Sequence, residues 1–199
     1  MGRSFVTSIG TRQSTIWVHD ARGDRQIASE GLSMLPSISP DGRKLYYLVR
    51  AGGTASYISG ALWVADLESG RRQRLVSDFL MQSYNVTADG DSVVFVASDD
   101  STRSPLWVAA LDGSSTPRRI MRNDALRAFF TSGGEVIYTA SERDGIFIYS
   151  MRTDGSRVRK IFQASTLDAV SPDGKWIAVQ AATSAGSNAM IYPRAGGSP

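Results

Sequence analysis

The chain of 199 residues contains no cysteine. Disulfides and thiolate chemistry are therefore excluded, and a zinc ion would have to be held without sulfur. The chain has one histidine, His19, so a Ser-His-Asp triad could use no other base. The Gly-x-Ser-x-Gly motif that presents a nucleophilic serine is also absent from the sequence. We therefore expect no enzyme activity in this chain, and we expect His19 to be a partly buried strand residue.

Long apolar runs are missing as well, and none approaches the roughly 20 residues of a membrane helix. We expect no membrane insertion. Residues 1–10 lack the positive-then-apolar layout of a signal peptide. The glycine motifs of phosphate-binding loops are absent, and we expect no cofactor. The formal net charge of +3 is only a weak hint towards anionic partners.

A four-residue turn motif recurs along the chain. It reads Ser-Pro-Asp-Gly at 39–42, and the apolar run Lys44–Val49 follows it. Proline presets φ for the second residue, aspartate stabilises the corner, and glycine accepts φ > 0 at the exit. Related turns, each followed by an apolar run, end at Gly90, Gly134 and Gly174. An interval of roughly 40 to 50 residues, built from short strands, predicts a β-propeller.

An aliphatic–aromatic–aliphatic triplet recurs with a matching period. Its aromatic centres are Trp17, Trp63, Trp107 and Phe147, and a weaker copy is centred on Ile191. We expect the four aromatic centres to fill the gaps between neighbouring sheets, where each would bury roughly 150–250 Å². A second glycine turn follows each triplet, and a short basic strand comes after it.

One period therefore predicts four antiparallel strands, a to d, joined by tight turns. In the first full copy they cover about 35–39, 44–50, 61–67 and 72–76. Strand b is apolar on both faces, which suits a strand that lies between two neighbouring sheets. Strand d is short and polar, as expected of an outer edge strand. Four such strands make one blade of a propeller.

Four stretches carry a family pattern: the turns at 39–42 and 171–174, Leu62–Leu67 (Leu-Trp-Val-Ala-Asp-Leu) and Leu106–Leu111 (Leu-Trp-Val-Ala-Ala-Leu). With them the chain resembles the TolB-type, WD-repeat-like propellers over essentially its whole length. The resemblance implies an all-β repeat fold. It implies a periplasmic or extracytoplasmic setting, since many relatives belong to the bacterial envelope, and it leaves the cytoplasm open. The turn at 131–134 departs from the family pattern.

The ends of the pattern predict an incomplete arc of a longer propeller. Residues 4–9 resemble a strand b without its strand a, and residues 196–199 lie in a c–d turn before any strand d. We expect about five blades in one domain, the first and last of them partial, with the remainder of the propeller missing. A closed ring of five blades is the competing interpretation. The predicted blades cover residues 1–30, 31–78, 79–122, 123–163 and 164–199.

Three short motifs have chemical interpretations that we do not favour. The acidic pairs Asp99–Asp100 and Asp89–Asp91 lack the spacing of a calcium loop, and we expect solvated turn carboxylates and no metal site. Arg22–Asp24 reads as the adhesive Arg-Gly-Asp tripeptide, but it falls at a predicted c–d turn. Asn85–Thr87 matches a glycosylation sequon. It lies in a strand a beside the propeller axis, where a glycan would not fit.

Basic residues recur in the predicted outer strands and would form a belt around the rim. Such a belt could bind nucleic acid or another anionic polymer. It could instead prevent edge-to-edge pairing of sheets. Because no aromatic residues interleave for base stacking, we favour the second interpretation and expect no nucleic-acid partner. The residues are Arg71, Arg72, Arg74, Arg118, Arg119, Arg157, Arg159 and Lys160.

The b–c and d–a loops vary most and open on one face of the propeller. Variable loops on a rigid repeated frame are where binding usually occurs. The alternative is that they are plain solvent loops. We predict the following residues as partner contacts: Tyr57, Phe79, Arg103, Glu142 and Arg143.

Two functional hypotheses follow. The first is a non-catalytic scaffold or sensor module that binds a protein, a peptide or a sugar polymer on its loop face. The second is the gating propeller of a serine peptidase of the prolyl-oligopeptidase kind, whose catalytic domain lies outside these residues.

Overall fold

The computed structural model describes residues 13–50, 59–98, 103–183, 186–196 and 198, and the regular elements in them are all β-strands. No helix that could cross a membrane occurs in these ranges. The predicted strand at 4–9, Tyr57 and the Asp99–Asp100 pair lie outside them. In chain order the strands are β1 Ile16–Asp20, β2 Gly23–Ala28, β3 Leu32–Ile38, β4 Lys44–Arg50, β5 Ala61–Asp66, β6 Arg72–Leu75, β7 Met81–Val86, β8 Ser92–Ala97, β9 Leu106–Ala110, β10 Arg118–Met121, β11 Ala125–Phe130, β12 Glu135–Glu142, β13 Gly145–Arg152, β14 Arg159–Gln163, β15 Ala169–Val170, β16 Trp176–Thr183 and β17 Gly186–Pro193.

The strands form antiparallel sheets in which consecutive strands are neighbours. Sheet 1 contains β1 and β2, sheet 2 contains β3 to β6, sheet 3 contains β7 to β10, sheet 4 contains β11 to β14, and sheet 5 contains β15 to β17. Sheets 2, 3 and 4 have the four strands predicted for one period, so the all-β propeller fold is confirmed. Each sheet lies within one of the predicted blade ranges. As domain boundaries, those ranges stay a prediction.

The turn that opens each strand b forms as its sequence predicts. The backbone N–H of Gly42 donates to the Ser39 carbonyl at 2.9 Å, and Gly42 has φ of 71°. Ser39 Oγ donates to Asp41 Oδ1 at 2.6 Å and accepts from the Lys44 N–H at 2.9 Å. These bonds fix the direction in which the chain enters β4. The glycines of the other three turns also have positive φ, of 80°, 71° and 69° at Gly90, Gly134 and Gly174.

Neighbouring sheets pack face to face through strand b. In β4, Leu45 and Tyr47 belong to the cluster shared with sheet 1, whereas Tyr46 and Leu48 belong to the cluster shared with sheet 3. Successive side chains of a strand point to opposite faces, so an apolar run with no polar alternation fills both gaps at once. Each such side chain contributes roughly 1.5–3 kcal/mol of burial free energy.

Trp63 and Trp107 face the sheet that precedes their own, whereas Trp17 is exposed. Trp63 packs against the cluster between sheets 1 and 2, and Trp107 against the cluster between sheets 2 and 3, so each faces the preceding sheet. Phe147 is 9% exposed. Trp17 is 58% exposed, and its predicted place in the core is wrong. Trp17 lies on the face of sheet 1 that points away from sheet 2, and no described sheet covers that face.

His19 shares this uncovered face, and its side chain is 84% exposed. The expectation of partial burial is therefore wrong for the same reason. Sheet 5 shows the same asymmetry. Ile177 and Tyr192 pack towards sheet 4, whereas Ile191 on the opposite face is 59% exposed. No sheet among the described residues covers either of these faces.

Candidate functional site

The predicted partner contacts in the described part of the chain lie in loops of sheets 3 and 4 and at the junction of sheets 2 and 3, and Asp124 bonds to both Ser104 and Ser141, next to Arg103 and Glu142. Arg103 is exposed just before β9 in sheet 3. Glu142 and Arg143 lie at the β12–β13 hairpin of sheet 4 and are exposed. Phe79 lies between β6 and β7, where sheets 2 and 3 meet. Tyr57 is not described, and the role of all five residues in binding stays a prediction.

Phe79 has a packing role that its loop position does not suggest. Its ring is 5.1 Å from the Phe95 ring and 4.9 Å from the Trp107 ring, edge-on to both. Edge-to-face pairs at these distances add about 0.5–1.5 kcal/mol beyond area burial. The hydrogen bonds between Gly60 and the Met81 backbone, at 2.8 and 2.9 Å, close the same end of this junction. The loop end of the junction between sheets 2 and 3 is therefore tightly packed.

Glu142 is held by its own sheet. Its carboxylate accepts hydrogen bonds from the Tyr149 hydroxyl and from Lys160 Nζ, the latter at 2.9 Å. Lys160 Nζ in turn lies 3.3 Å from the centre of the Phe147 ring. A partner that used Glu142 would have to compete with this cluster.

The other chemical motifs are engaged in local contacts. Asp24 of the Arg-Gly-Asp tripeptide lies 2.6 Å from His19 Nδ1, and Arg22 bonds to Asp20 and to the Leu67 carbonyl. Asn85 accepts from the Phe130 N–H at 2.9 Å. No cluster of three or more potential metal ligands occurs among the described residues. In the described ranges, therefore, the tripeptide and the sequon asparagine take part in contacts within the chain.

An open cavity of about 930 Å³ lies at the turn end of the junction between sheets 2 and 3. We call it the 2–3 cavity. It has the size at which proteins bind small ligands and short peptide segments. Strands β4, β5 and β6 of sheet 2 form one wall, and the a–b and c–d turns of sheet 3 form the other. The lining residues are Lys44, Tyr46, Val64, Asp66, Arg71, Arg72, Gln73, Leu75, Gly90, Asp91, Ser92, Ala110, Leu111, Asp112 and Ser114.

The two walls differ in net charge. Sheet 2 contributes three cationic residues and one acidic residue, and sheet 3 contributes two acidic residues: Lys44, Arg71, Arg72 and Asp66, and Asp91 and Asp112. The Ser114 hydroxyl and N–H bond to Asp112 and hold the pKa of that carboxyl below its usual range, so it is ionised at neutral pH. Tyr46 lies between the walls, and burial raises the pKa of its phenol. The cavity is therefore polar, with a cationic side and an anionic side.

The neighbouring junctions are crossed by arginine side chains at this same end, although a smaller cavity of about 330 Å³ remains beside Arg25. Between sheets 1 and 2, Arg25 Nη1 donates to the Leu67 carbonyl at 3.2 Å. Between sheets 3 and 4, Arg118 donates to the Thr153 carbonyl at 2.6 Å and to the Asp154 carbonyl at 3.1 Å. In both cases an arginine of the outer strand reaches the c–d turn of the following sheet. We call each of these contacts an arginine bridge.

Strand register explains why the bridge is missing between sheets 2 and 3. Arg25 pairs with Val18, and Arg118 pairs with Val108, the last residue of the aromatic triplet in each sheet. The equivalent residue of sheet 2 is Val64, and its partner is Gln73. Glutamine is shorter than arginine and uncharged. No described residue donates to the Leu111 carbonyl, which corresponds to those of Leu67 and Thr153.

The c–d turn glycines show that only the turn of sheet 4 lies directly against the preceding sheet, since a Cβ at Gly70 in the c–d turn of sheet 2 would meet nothing within 4 Å. A Cβ at Gly155, in the c–d turn of sheet 4, would lie 2.8 Å from the Ile120 carbonyl of sheet 3. A Cβ at Gly113, in the c–d turn of sheet 3, would meet nothing within 4 Å. Sequence reasoning missed the 2–3 cavity. The signal was present in the outer strands, where Gln73 stands at a position that is arginine in sheets 1 and 3.

The comparisons with known proteins match the fold and not the sequence. No protein-family model matches the chain, and no curated protein matches it. TolB from Acinetobacter baumannii is 21% identical with a TM-score of 0.73, and the match covers 92% of this chain and 47% of that one. A structure described as TolB from Agrobacterium tumefaciens is 20% identical with a TM-score of 0.73, covering 95% and 69%. An acylaminoacyl peptidase from Pyrococcus horikoshii is 17% identical with a TM-score of 0.61, covering 90% and 33%.

At these identities the likeness shows the fold alone. The predicted resemblance to TolB-type propellers is confirmed as a resemblance of fold. The chain spans about half the length of the Acinetobacter TolB.

Proposed function

We propose that this chain is a non-catalytic propeller module that binds an extended segment of another protein. The observation that carries the proposal is the 2–3 cavity, an open, charge-lined space of about 930 Å³ between two rigid sheets. One wall consists of packed strands and the other of short turns held by hydrogen bonds, and a site supported in this way favours recognition of a segment that has no fold of its own. The fold likeness to two TolB structures is compatible with a binding module.

The binding proposal is tested by selecting a random peptide library on the purified, immobilised chain. We expect enriched peptides that bind in solution and that shift the backbone amide signals of the residues lining the 2–3 cavity in NMR spectra. The matched control is the same selection on urea-unfolded chain. A selection that enriches nothing above this control would contradict the proposed function. Peptides that shift only signals near Glu142 and Arg143 would favour the loop face.

The second candidate is a gating propeller of a serine peptidase. The likeness to the acylaminoacyl peptidase over 90% of this chain, with a TM-score of 0.61, favours it. The two candidates are distinguished by sequencing the complete gene. A Gly-x-Ser-x-Gly motif downstream would support the peptidase, and a kinase or DNA-binding domain upstream would support a sensor. Further blades alone would support the binding module.

We further propose a periplasmic or extracytoplasmic setting, on the family resemblance. An alkaline phosphatase fusion to the complete gene product tests it, because this reporter is active only outside the cytoplasm. An inactive but stable fusion would contradict the setting without affecting the binding proposal.

A further inference from the structure

We infer that the 2–3 cavity takes an arginine side chain of the bound segment, which supplies the arginine bridge that this junction lacks. The inference rests on the proposed function and names the group that the site recognises. Three observations support it: the arginine bridges at the two neighbouring junctions, the Leu111 carbonyl to which no described residue donates, and the charges of the two walls.

The Leu111 carbonyl is the acceptor that the inference assigns to the ligand. Its equivalents accept from a guanidinium at both neighbouring junctions, at 3.2 Å for Leu67 and 2.6 Å for Thr153. The Leu111 N–H bonds to the Asp91 carbonyl at 2.8 Å, just as the Leu67 N–H bonds to the Arg43 carbonyl at 2.8 Å. The N–H groups of the two leucines are therefore held in the same way, although the c–d turn of sheet 2 has one more residue between the leucine and the glycine, and the side chain opposite differs. A guanidinium from outside the chain can reach the place that Gln73 leaves open.

The sheet 3 wall favours a cation beside that carbonyl. Asp91, Leu111 and Asp112 all line the cavity, and the Asp91 carbonyl accepts from the Leu111 N–H at 2.8 Å. Arginine fits better than lysine, because its planar fork donates to several acceptors at once. Arg118 shows this use of the fork when it donates to the Thr153 and Asp154 carbonyls together. The site should therefore discriminate between the two basic side chains.

The sheet 2 wall sets a second requirement. Lys44 and Arg71 line it, and the cavity is much larger than one guanidinium. A segment that brings only positive charge would be repelled by this wall, whereas an acidic residue close to the arginine would be attracted. We therefore expect the bound segment to carry a carboxylate near its arginine.

The test uses the peptide acetyl-Gly-Arg-Ala-Asp-Gly-amide and three relatives. In these, the arginine is replaced by citrulline or lysine, or the aspartate by asparagine. Binding is measured by NMR titration of the wild-type chain. We expect the signals of Leu111, Asp112 and Ser114 to shift with the arginine peptide. Citrulline should weaken binding at least about tenfold, and lysine or asparagine about three- to tenfold. Equal binding of the citrulline peptide would overturn the inference.

A second arm changes the protein. The variant Gln73→Arg should supply the bridge internally and weaken peptide binding at least about tenfold. The matched control Gln13→Arg adds the same charge at an exposed position outside the cavity and should leave binding unchanged. If Gln73→Arg does not fold, the double variant D91N/D112N replaces it and should weaken binding about threefold or more. Unchanged binding in a folded cavity variant would overturn the inference.

The two proposals fail in different ways. Library peptides that bind the wild-type chain and Gln73→Arg equally, and that lack arginine, would overturn the arginine inference and leave the binding module intact. A library that yields no binder at all would contradict the proposed function itself.

Discussion

Gly155 shows how one residue controls the approach of two sheets. It has φ of 88°, and a Cβ there would lie 2.8 Å from the Ile120 carbonyl. The variant Gly155→Ala should lower the free energy of unfolding by about 2–4 kcal/mol, because it combines backbone strain with a clash against main chain. Urea unfolding measures the loss.

Gly113→Ala is the matched control for this prediction. Gly113 has φ of 74° but nothing within 4 Å of its Cβ position. Gly113→Ala should therefore lower the free energy of unfolding only by the backbone strain of about 1–2 kcal/mol. Equal losses in the two variants would mean that the turns of sheets 3 and 4 approach their neighbours equally closely.

Asp20 gives the arginine bridge of sheets 1 and 2 a pH dependence. Hydrogen bonds from Arg25 at 2.7 Å and from Arg22 lower the pKa of Asp20 from 3.8 to about 2. A carboxyl with a lowered pKa stabilises the fold fully above its unfolded value, and that contribution is lost as pH falls from about 4 towards 2. Urea midpoints measured between pH 5 and 2.5 should therefore fall less steeply in Asp20→Asn than in the wild type. Parallel curves would contradict the role of Asp20.

At the scale of elements, the a–b turn at Thr131–Glu135 is one residue shorter than the other three and lacks their bonds to an aspartate. In the other three a hydroxyl bonds to an aspartate two residues on, at 2.6, 2.5 and 2.6 Å. The fourth turn has Gly133 at the aspartate position. Gly133 is not in the left-handed region, and a Cβ there would meet only Thr131 Oγ1, at 3.8 Å. The fourth turn can therefore accept the aspartate that it lacks.

The variant Gly133→Asp should raise the free energy of unfolding by about 0.5–1 kcal/mol. It restores the turn bond and restricts the unfolded chain. Thermal and urea midpoints measure the gain. Ser132→Asp, one residue earlier, places the same charge where it corresponds to Pro40 and should stay within about 0.5 kcal/mol of wild type. A loss of stability in Gly133→Asp would show that the shorter turn does not form this bond.

The elements were predictable because their signals are local. The turn glycines and the fully apolar strand b depend on residues within one period, and the structure has them where the sequence predicts. The contacts between sheets were not predictable in this way. Arg25 and the Leu67 carbonyl are 42 residues apart, and their contact follows only from the register of both sheets. The sequence places Phe79 in a variable loop, and the residues next to it in sequence do not reveal its ring contacts with Phe95 and Trp107.

At the scale of the whole molecule, the two terminal sheets present apolar side chains. The predictions for Trp17 and His19 were wrong because the repeat pattern was applied unchanged to a terminal sheet, one face of which no described sheet covers. Trp176 and Ile191 are 49% and 59% exposed on the face of sheet 5 that points away from sheet 4. Grouped apolar residues of this kind promote association. The double variant Trp176→Ser with Ile191→Ser should reduce self-association in sedimentation velocity across a concentration series.

Val158→Ser is the control for this experiment. Val158 is 58% exposed but lies outside the terminal faces, between β13 and β14. It should leave self-association unchanged. An equal effect of Val158→Ser would indicate that general surface hydrophobicity, and not the face of sheet 5, drives association.

The central claim is that one register position of the outer strand decides whether a junction is bridged or open. The most direct measurement is the free energy of urea unfolding of Gln73→Arg and Arg118→Gln, each against the wild type. We predict that Gln73→Arg gains about 1 kcal/mol and that Arg118→Gln loses about 1–2 kcal/mol, because one adds and the other removes a charge-assisted bond between sheets. If Gln73→Arg loses stability while Arg118→Gln is neutral, this claim is wrong.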